Sequence, residues 1–139
     1  MSAANRPAGF SAVTPYLIVP AADRVLRFLA RAFGAEERSR TTRPDGTLAH
    51  AEVWIGGAVI EVAEARAEWP AAPAALHLYV DDSDAVYARA LEAGGTSLYE
   101  PMDQPYGDRD AGVRDPGGTQ WFIATRRASP SGGFLRGSV

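Results

Sequence analysis

The chain has 139 residues, a formal charge of −3 and no cysteine. One domain of this length can bury about 70% of its unfolded surface. The missing cysteines exclude a disulfide framework, a Cys-ligated zinc or iron–sulfur site and a thiol nucleophile. All 14 basic residues are arginine, which also excludes Schiff-base lysine chemistry and a P-loop phosphate lysine. The acidic balance runs against nucleic-acid binding, which needs a basic face. The apolar runs are too short to span a bilayer, and the first residues lack the pattern of a signal peptide. A soluble, cytoplasmic protein is therefore expected, without membrane or nucleic-acid partners. Residues 1–10 and 126–139 are rich in small and polar residues, so both ends are expected to be disordered.

In chain order, residues 11–19 read as a strand. Val25, Leu26, Phe28, Leu29, Ala32 and Phe33 then fall at helical spacing, with Asp23 in the first turn and Gly34 as the stop. Strands follow over 36–42, 47–55 and 58–63, with Asp45-Gly46 and Gly56-Gly57 as hairpin turns. The Trp69-Pro70-Ala71-Ala72-Pro73 segment reads as a link. After it come a strand over 75–80, cap residues Asp82-Ser83-Asp84, and a helical pattern through Val86, Tyr87, Ala90, Leu91 and Ala93, ending at Gly94-Gly95. Strands over 96–100, 112–114 and 119–124 complete the order, with Asp115-Pro116-Gly117-Gly118 as a turn.

A shift of 61 residues lays Val19 on Val80, Asp23 on Asp84, Ala32 on Ala93 and Gly56-Gly57 on Gly117-Gly118. One register held along a whole unit marks an internal repeat. The expected fold is thus α+β: two tandem βαβββ modules, 11–64 and 74–125, forming one domain over 11–125 with a cup-shaped curved sheet.

Strand alternation assigns the faces. Leu17 and Val19, Ala49, Ala51, Val53 and Ile55, and Ile60 and Val62 point toward the first helix. Leu76, Leu78 and Val80, with Trp121 and Ile123, point toward the second. The opposite faces would line a cup with Thr14, Tyr16, His50, Glu52, Trp54, Glu61, His77, Tyr79, Gln120 and Phe122. A concave, aromatic surface with few polar groups suits a small molecule. Tyr106 would sit at its rim, and Trp69 could cover a neighbouring subunit.

The Gly56-Gly57 turn sets Trp54 opposite Val59 and Glu52 opposite Glu61. Two ionised carboxylates would repel and raise the pKa of one, which makes Glu61 the candidate general acid or base. Alternatively Arg38, Arg40 or Arg109 pairs with these carboxylates. Arg109 either orients an anionic ligand or bridges to Asp108, Asp110 or Asp115. His50 and His77 are either hydrogen-bonded groups of a polar sheet face or, with Glu52 and Glu61, a rebuilt cation site. No Gly-x-Ser-x-Gly elbow and no Gly-x-Gly-x-x-Gly fingerprint occurs.

The paired units resemble the vicinal oxygen chelate superfamily of glyoxalase I, bleomycin-resistance proteins and extradiol dioxygenases. The resemblance rests on Val13-Thr14-Pro15-Tyr16-Leu17, Arg31-Ala32-Phe33-Gly34-Ala35-Glu36, His50-Ala51-Glu52-Val53, Gly107-Asp108-Arg109 and Gly112-Val113-Arg114-Asp115-Pro116. It covers residues 11–125 and is most like the PhnB-like branch. In metal-dependent members the ligand positions correspond to Thr14, Glu61, Ala75 and Phe122, of which only Glu61 is a competent ligand. The resemblance therefore implies no metal at the usual place, and no other cofactor. Members without a metal bind and sequester antibiotics, which implies a homodimeric binding or resistance protein for a hydrophobic or aromatic compound. The alternative is a metal-dependent glyoxalase-like lyase or isomerase, or a dioxygenase-like enzyme, using Glu61 with His77 or His50.

Overall fold

The structure, a computed structural model, describes residues 2–127. A short 3-10 turn, Ala3–Asn5, is followed by β1 (Tyr16–Val19), α1 (Ala22–Phe33), β2 (Glu36–Thr42), β3 (Leu48–Ile55) and β4 (Ala58–Glu64). The second module comprises β5 (Ala75–Tyr79), α2 (Ser83–Glu92), β6 (Thr96–Asp103), β7 (Asp108–Arg114) and β8 (Gln120–Arg126). Each module forms one four-stranded sheet, ordered β1-β4-β3-β2 and β5-β8-β7-β6. The repeat holds at residue level: the parallel pair β1–β4 sets Tyr16 against Glu61, and β5–β8 sets His77 against Phe122.

α1 buries the stripe Val25, Leu26, Phe28, Leu29 and Ala32 against the first sheet, where Leu17, Val19, Ala51, Val53, Ile60 and Val62 are also buried. Gly34 ends the helix in the left-handed conformation at φ 68°, and its N–H returns to the Ala30 carbonyl at 3.0 Å. The start of α1 is less conventional. Its N-cap is Ala21, at φ 52°, with no side chain able to cap. Glu64, at the end of β4, supplies the cap instead: its carboxylate accepts from the Ala21 N–H at 3.0 Å and the Ala22 N–H at 2.9 Å. Asp23 lies in the first turn but pairs with Arg40 at 2.8 Å. Glu64→Ala is expected to lower stability by about 1–2 kcal/mol, the usual worth of a charged N-cap, with Glu64→Gln retaining part of it; chemical denaturation measures both. In α2, Asp82 caps its own helix, accepting from the Ala85 N–H at 3.1 Å.

The modules dock through α1 and α2. Phe33 meets Trp121 with ring centroids 4.9 Å apart, and Arg89 Nε donates to the Ala32 carbonyl at 3.4 Å. Asp115 is buried in the β7–β8 turn and accepts from the backbone N–H groups of Gly117 and Thr119 and from Trp121 Nε1. Burial pushes its carboxyl above the ordinary range, against the lowering effect of those hydrogen bonds.

Several elements differ from the sequence expectation. The first strand begins at Tyr16 rather than at residue 11, although the Glu61 N–H still donates to the Pro15 carbonyl at 2.9 Å. β6 and β7 run on to Asp103 and from Asp108. The stretch 101–111, outside the strands expected from the sequence, is thus mostly hairpin, turned where the Gln104 N–H meets the Asp108 carbonyl at 2.7 Å. Buried acids on β7 and a proline on edge strand β6 hide the strand pattern. The segment before β1, expected to be disordered, follows a defined course: Arg6 Nε donates to the Phe10 carbonyl at 2.8 Å, and the Phe10 ring packs edge-on to Trp54. Arg126 belongs to β8, and the Arg127 N–H donates to the Gly107 carbonyl at 2.9 Å. The rest of the expected tail, 128–139, lies outside the described residues. No described helix is long and apolar enough to cross a membrane.

Candidate functional site

Each sheet turns one face to its helix and leaves the other open. On the first sheet, Glu52 stands opposite Glu61 and Trp54 opposite Val59, the register expected from the Gly56-Gly57 turn. The two carboxylates have separate partners. His50 Nε2 lies 2.6 Å from Glu61 Oε1, and Trp54 Nε1 donates to Glu52 Oε1 at 3.0 Å. The expected arginine partners are engaged elsewhere: Arg38 bridges to Glu36 at 3.1 Å, and Arg40 to Glu37 and Asp23. Tyr16 stands beside the pair, its ring centroid 5.9 Å from that of His50.

Trp54 was expected to offer a stacking surface to a ligand. Its ring is instead packed by Phe10 at 6.2 Å and by the Arg38 guanidinium at 4.2 Å. Gly9 approaches so closely that a Cβ there would lie 2.2 Å from Trp54 Cη2. A second correction concerns Ala49, assigned to the helix face. A register shift between β2 and β3 turns Leu48 into the core and leaves Ala49 outside it.

Tyr16, Ile18, Ala49 and Ala63 then line a concavity of about 450 Å³. Its rim carries Arg43, Glu64, Arg66 and Trp69. Trp69 is placed there by a two-way backbone bridge between Arg66 and Trp69, and it is 65% exposed. Sequence reasoning placed Trp69 in the link but not at this site. All of these residues belong to the first module and the segment following it.

The open face of the second sheet carries its own cluster. His77 packs edge-on to Tyr79 at 4.7 Å, and Phe122 stacks with Tyr99 at 6.3 Å. Tyr79 Oη donates to the buried Asp108 at 2.9 Å, and Arg126 Nε lies 3.0 Å from the same carboxylate. Asp110, also buried, accepts from Gln104 Nε2 at 2.9 Å and from Tyr106 Oη at 3.4 Å. Burial, with the neighbouring Asp110 carboxylate, raises the Tyr99 hydroxyl above its ordinary range. Gly112 faces Phe122, and a Cβ there would meet the Tyr99 ring at 2.6 Å, so the glycine leaves room for that ring.

Arg109 is not on this face. It alternates with Asp108 and Asp110 along β7 and reaches Asp84 at 2.8 and 3.0 Å and Asp103 at 3.4 Å. Neither a ligand-orienting role nor the expected bridge to Asp108, Asp110 or Asp115 fits this position. His77 also borders a crevice of about 250 Å³ between the modules, together with Thr14 and Val59.

The model of the glyoxalase/bleomycin resistance protein/dioxygenase superfamily matches residues 9–123. The chain belongs to that superfamily. An uncharacterized protein of Mycobacterium bovis is 36% identical over 123 residues, 81% of either chain. Among solved structures, TioX from Micromonospora sp. ML1 matches with a TM-score of 0.66 and 24% identity, over 83% of this chain and 99% of that one. A glyoxalase-related enzyme from Fulvimarina pelagi gives 0.68 and 21%, over 83% and 87%. A PhnB protein from Bacillus cereus gives 0.66 and 19%, over 83% and 99%.

At the four positions that the resemblance implies for metal ligands the chain carries Thr14, Glu61, Ala75 and Phe122. Ala75 and Phe122 carry no donor atom, and the Glu61 carboxylate is engaged by His50 at 2.6 Å. Among the described residues, no group of three or more histidine, aspartate or glutamate side chains converges as a cation site.

Proposed function

We propose that this chain binds and sequesters a hydrophobic, aromatic small molecule without a metal, as a cytoplasmic homodimer. In this reading the first sheet of one subunit and the second sheet of its partner close one cup. The observation that carries it is the first-module concavity. Its volume of about 450 Å³ falls in the range of drug-sized sites, which are mostly apolar with a few placed polar groups. Aromatic side chains stand exposed on the surfaces to be closed: Tyr16 at 49%, Tyr79 at 50% and Trp69 at 65%. In a lone subunit the concavity is walled by the first module and the link only, which supports completion by a second copy. The bleomycin-resistance members of the superfamily lend the binding role its precedent.

The enzyme alternative has one observation in its favour, the His50–Glu61 pair beside Glu52. One set of measurements separates the readings. Purified protein should hold no stoichiometric divalent metal, run as a dimer in light scattering, and show micromolar fluorescence quenching by planar aromatic compounds. Trp69→Phe should remove most of that quenching, and Tyr16→Ala should weaken binding about tenfold, the worth of a buried aromatic contact. Stoichiometric metal, lost in Glu61→Ala, would overturn the metal-free binding reading.

A further inference from the structure

We infer that the ligand is an aromatic acid: Arg43, on the rim of the first-module concavity, takes its anionic group while the ring lies on the apolar wall. The inference rests on the aromatic-ligand reading and adds the charge of the ligand. Arg43 lines the concavity together with Tyr16, Ile18, Ala49 and Ala63. It is half-buried and is pinned by two neutral acceptors. Its Nη1 donates to Thr47 Oγ1 at 3.1 Å, and its Nη2 to the Glu64 carbonyl at 3.4 Å. The Thr47 hydroxyl donates in turn to Asp45 Oδ1 at 2.7 Å, which leaves its lone pairs to the guanidinium.

A guanidinium carries five N–H donors and stays charged at any working pH. Two of the five are spent here, and among the described residues no carboxylate lies within ion-pair distance of Arg43. The carboxylates nearby are committed elsewhere. Glu64 caps α1 through the Ala21 and Ala22 N–H groups, and Glu68 pairs with Arg66 at 2.6 Å. Asp45 accepts from the Thr47 hydroxyl and N–H, which, with the fields of Arg43 and Arg66, hold its carboxyl below the ordinary range. The charged groups lining the concavity are Arg43 and Arg66 against Glu64 alone, a positive balance in a chain whose formal charge is −3. An anion placed there meets a charge partly withdrawn from water and takes up its remaining donors; a neutral group of the same shape gains less.

The test compares 2-naphthoate with 2-naphthamide, a neutral probe of nearly the same shape, by equilibrium dialysis at pH 8 with the full-length protein and its variants. The wild type should bind the naphthoate about tenfold tighter, the worth of one charge-assisted hydrogen bond. Arg43→Met keeps the apolar stem and removes the charge, so it should bind both compounds within about twofold. Arg43→Lys keeps the charge without the planar fork and should retain a preference of about threefold. If Arg43→Met does not fold, that narrowing decides, and an undiminished preference in Arg43→Lys counts against Arg43. Arg66 is already paired and more exposed, so Arg66→Gln should change the preference by less than about twofold. Equal wild-type affinities would overturn the anionic ligand and leave aromatic binding standing. A preference that survives Arg43→Met, or that Arg66→Gln abolishes, would overturn the role of Arg43. If the wild type binds neither compound, the aromatic-ligand reading falls as well.

Discussion

Asp115→Ala is expected to lower stability by about 2–4 kcal/mol, the cost of leaving several buried donors unpaired. The carboxylate is 4% exposed and closes the β7–β8 turn from inside. Oδ1 accepts from the Gly117 N–H at 2.8 Å and the Thr119 N–H at 3.1 Å, and Oδ2 accepts from Trp121 Nε1 at 2.9 Å. Trp121 is itself 2% exposed, so its indole N–H would have neither acceptor nor water. Part of the loss is offset, because the variant no longer buries a carboxylate. For a fold of this size the melting temperature should drop on the order of 10 °C. Asp115→Asn should cost about half as much, since its amide can still accept at Oδ1 but meets the indole donor with another donor.

The pH dependence of that pair has a definite sign. Burial raises the Asp115 carboxyl above its ordinary value, so the folded chain holds this proton more tightly than the unfolded one. The stability this group contributes is present at low pH and declines as pH rises through the window between the ordinary and native values. The stability gap between wild type and Asp115→Asn should therefore shrink as pH rises through that window. Denaturation curves across the weakly acidic range measure it.

What could be read along the chain was local or periodic. The helices, their glycine stops and the 61-residue repeat depend on spacing alone, and α2 begins 61 residues after α1. The meeting of Glu52 with Glu61 followed from a two-residue turn. What stayed hidden depends on contacts between distant segments. Glu64 caps a helix that starts 42 residues earlier, and no pattern near Ala21 announces it. Arg109 takes its partner from α2, 25 residues away, rather than from the acids beside it. Strand alternation leaves Trp54 on the open face, but Gly9 and Phe10, more than 40 residues earlier in the chain, pack against its ring. His50 and Glu61 lie on the neighbouring strands β3 and β4, but the register sets Glu52, not His50, directly across the ladder from Glu61. The hydrogen bond that joins His50 to Glu61 runs diagonally, which strand alternation does not specify.

Gly117→Ala tests the docking between modules that fixes where the two open faces lie. Gly117 belongs to the turn of the second module, yet a Cβ there would lie 2.6 Å from Val25 Cγ2 and 3.0 Å from Val19 Cβ, both in the first. Gly118, at φ 94°, is the glycine that takes the left-handed conformation in this turn; Gly117 does not. The added methyl therefore brings a clash and no backbone strain. The expected loss is about 1–3 kcal/mol, the usual cost of overpacking, because Val25 is fully buried and has nowhere to go. Val25→Ala alone should cost about 2 kcal/mol by opening a small cavity. Combined, the two changes should cost less than their sum by about 1 kcal/mol, since the new methyl enters the space the valine leaves. Both single variants and the double variant are measurable by chemical denaturation. Strict additivity would mean that α1 and the β7–β8 turn do not touch in solution, and the two open faces would then be placed differently from the way described.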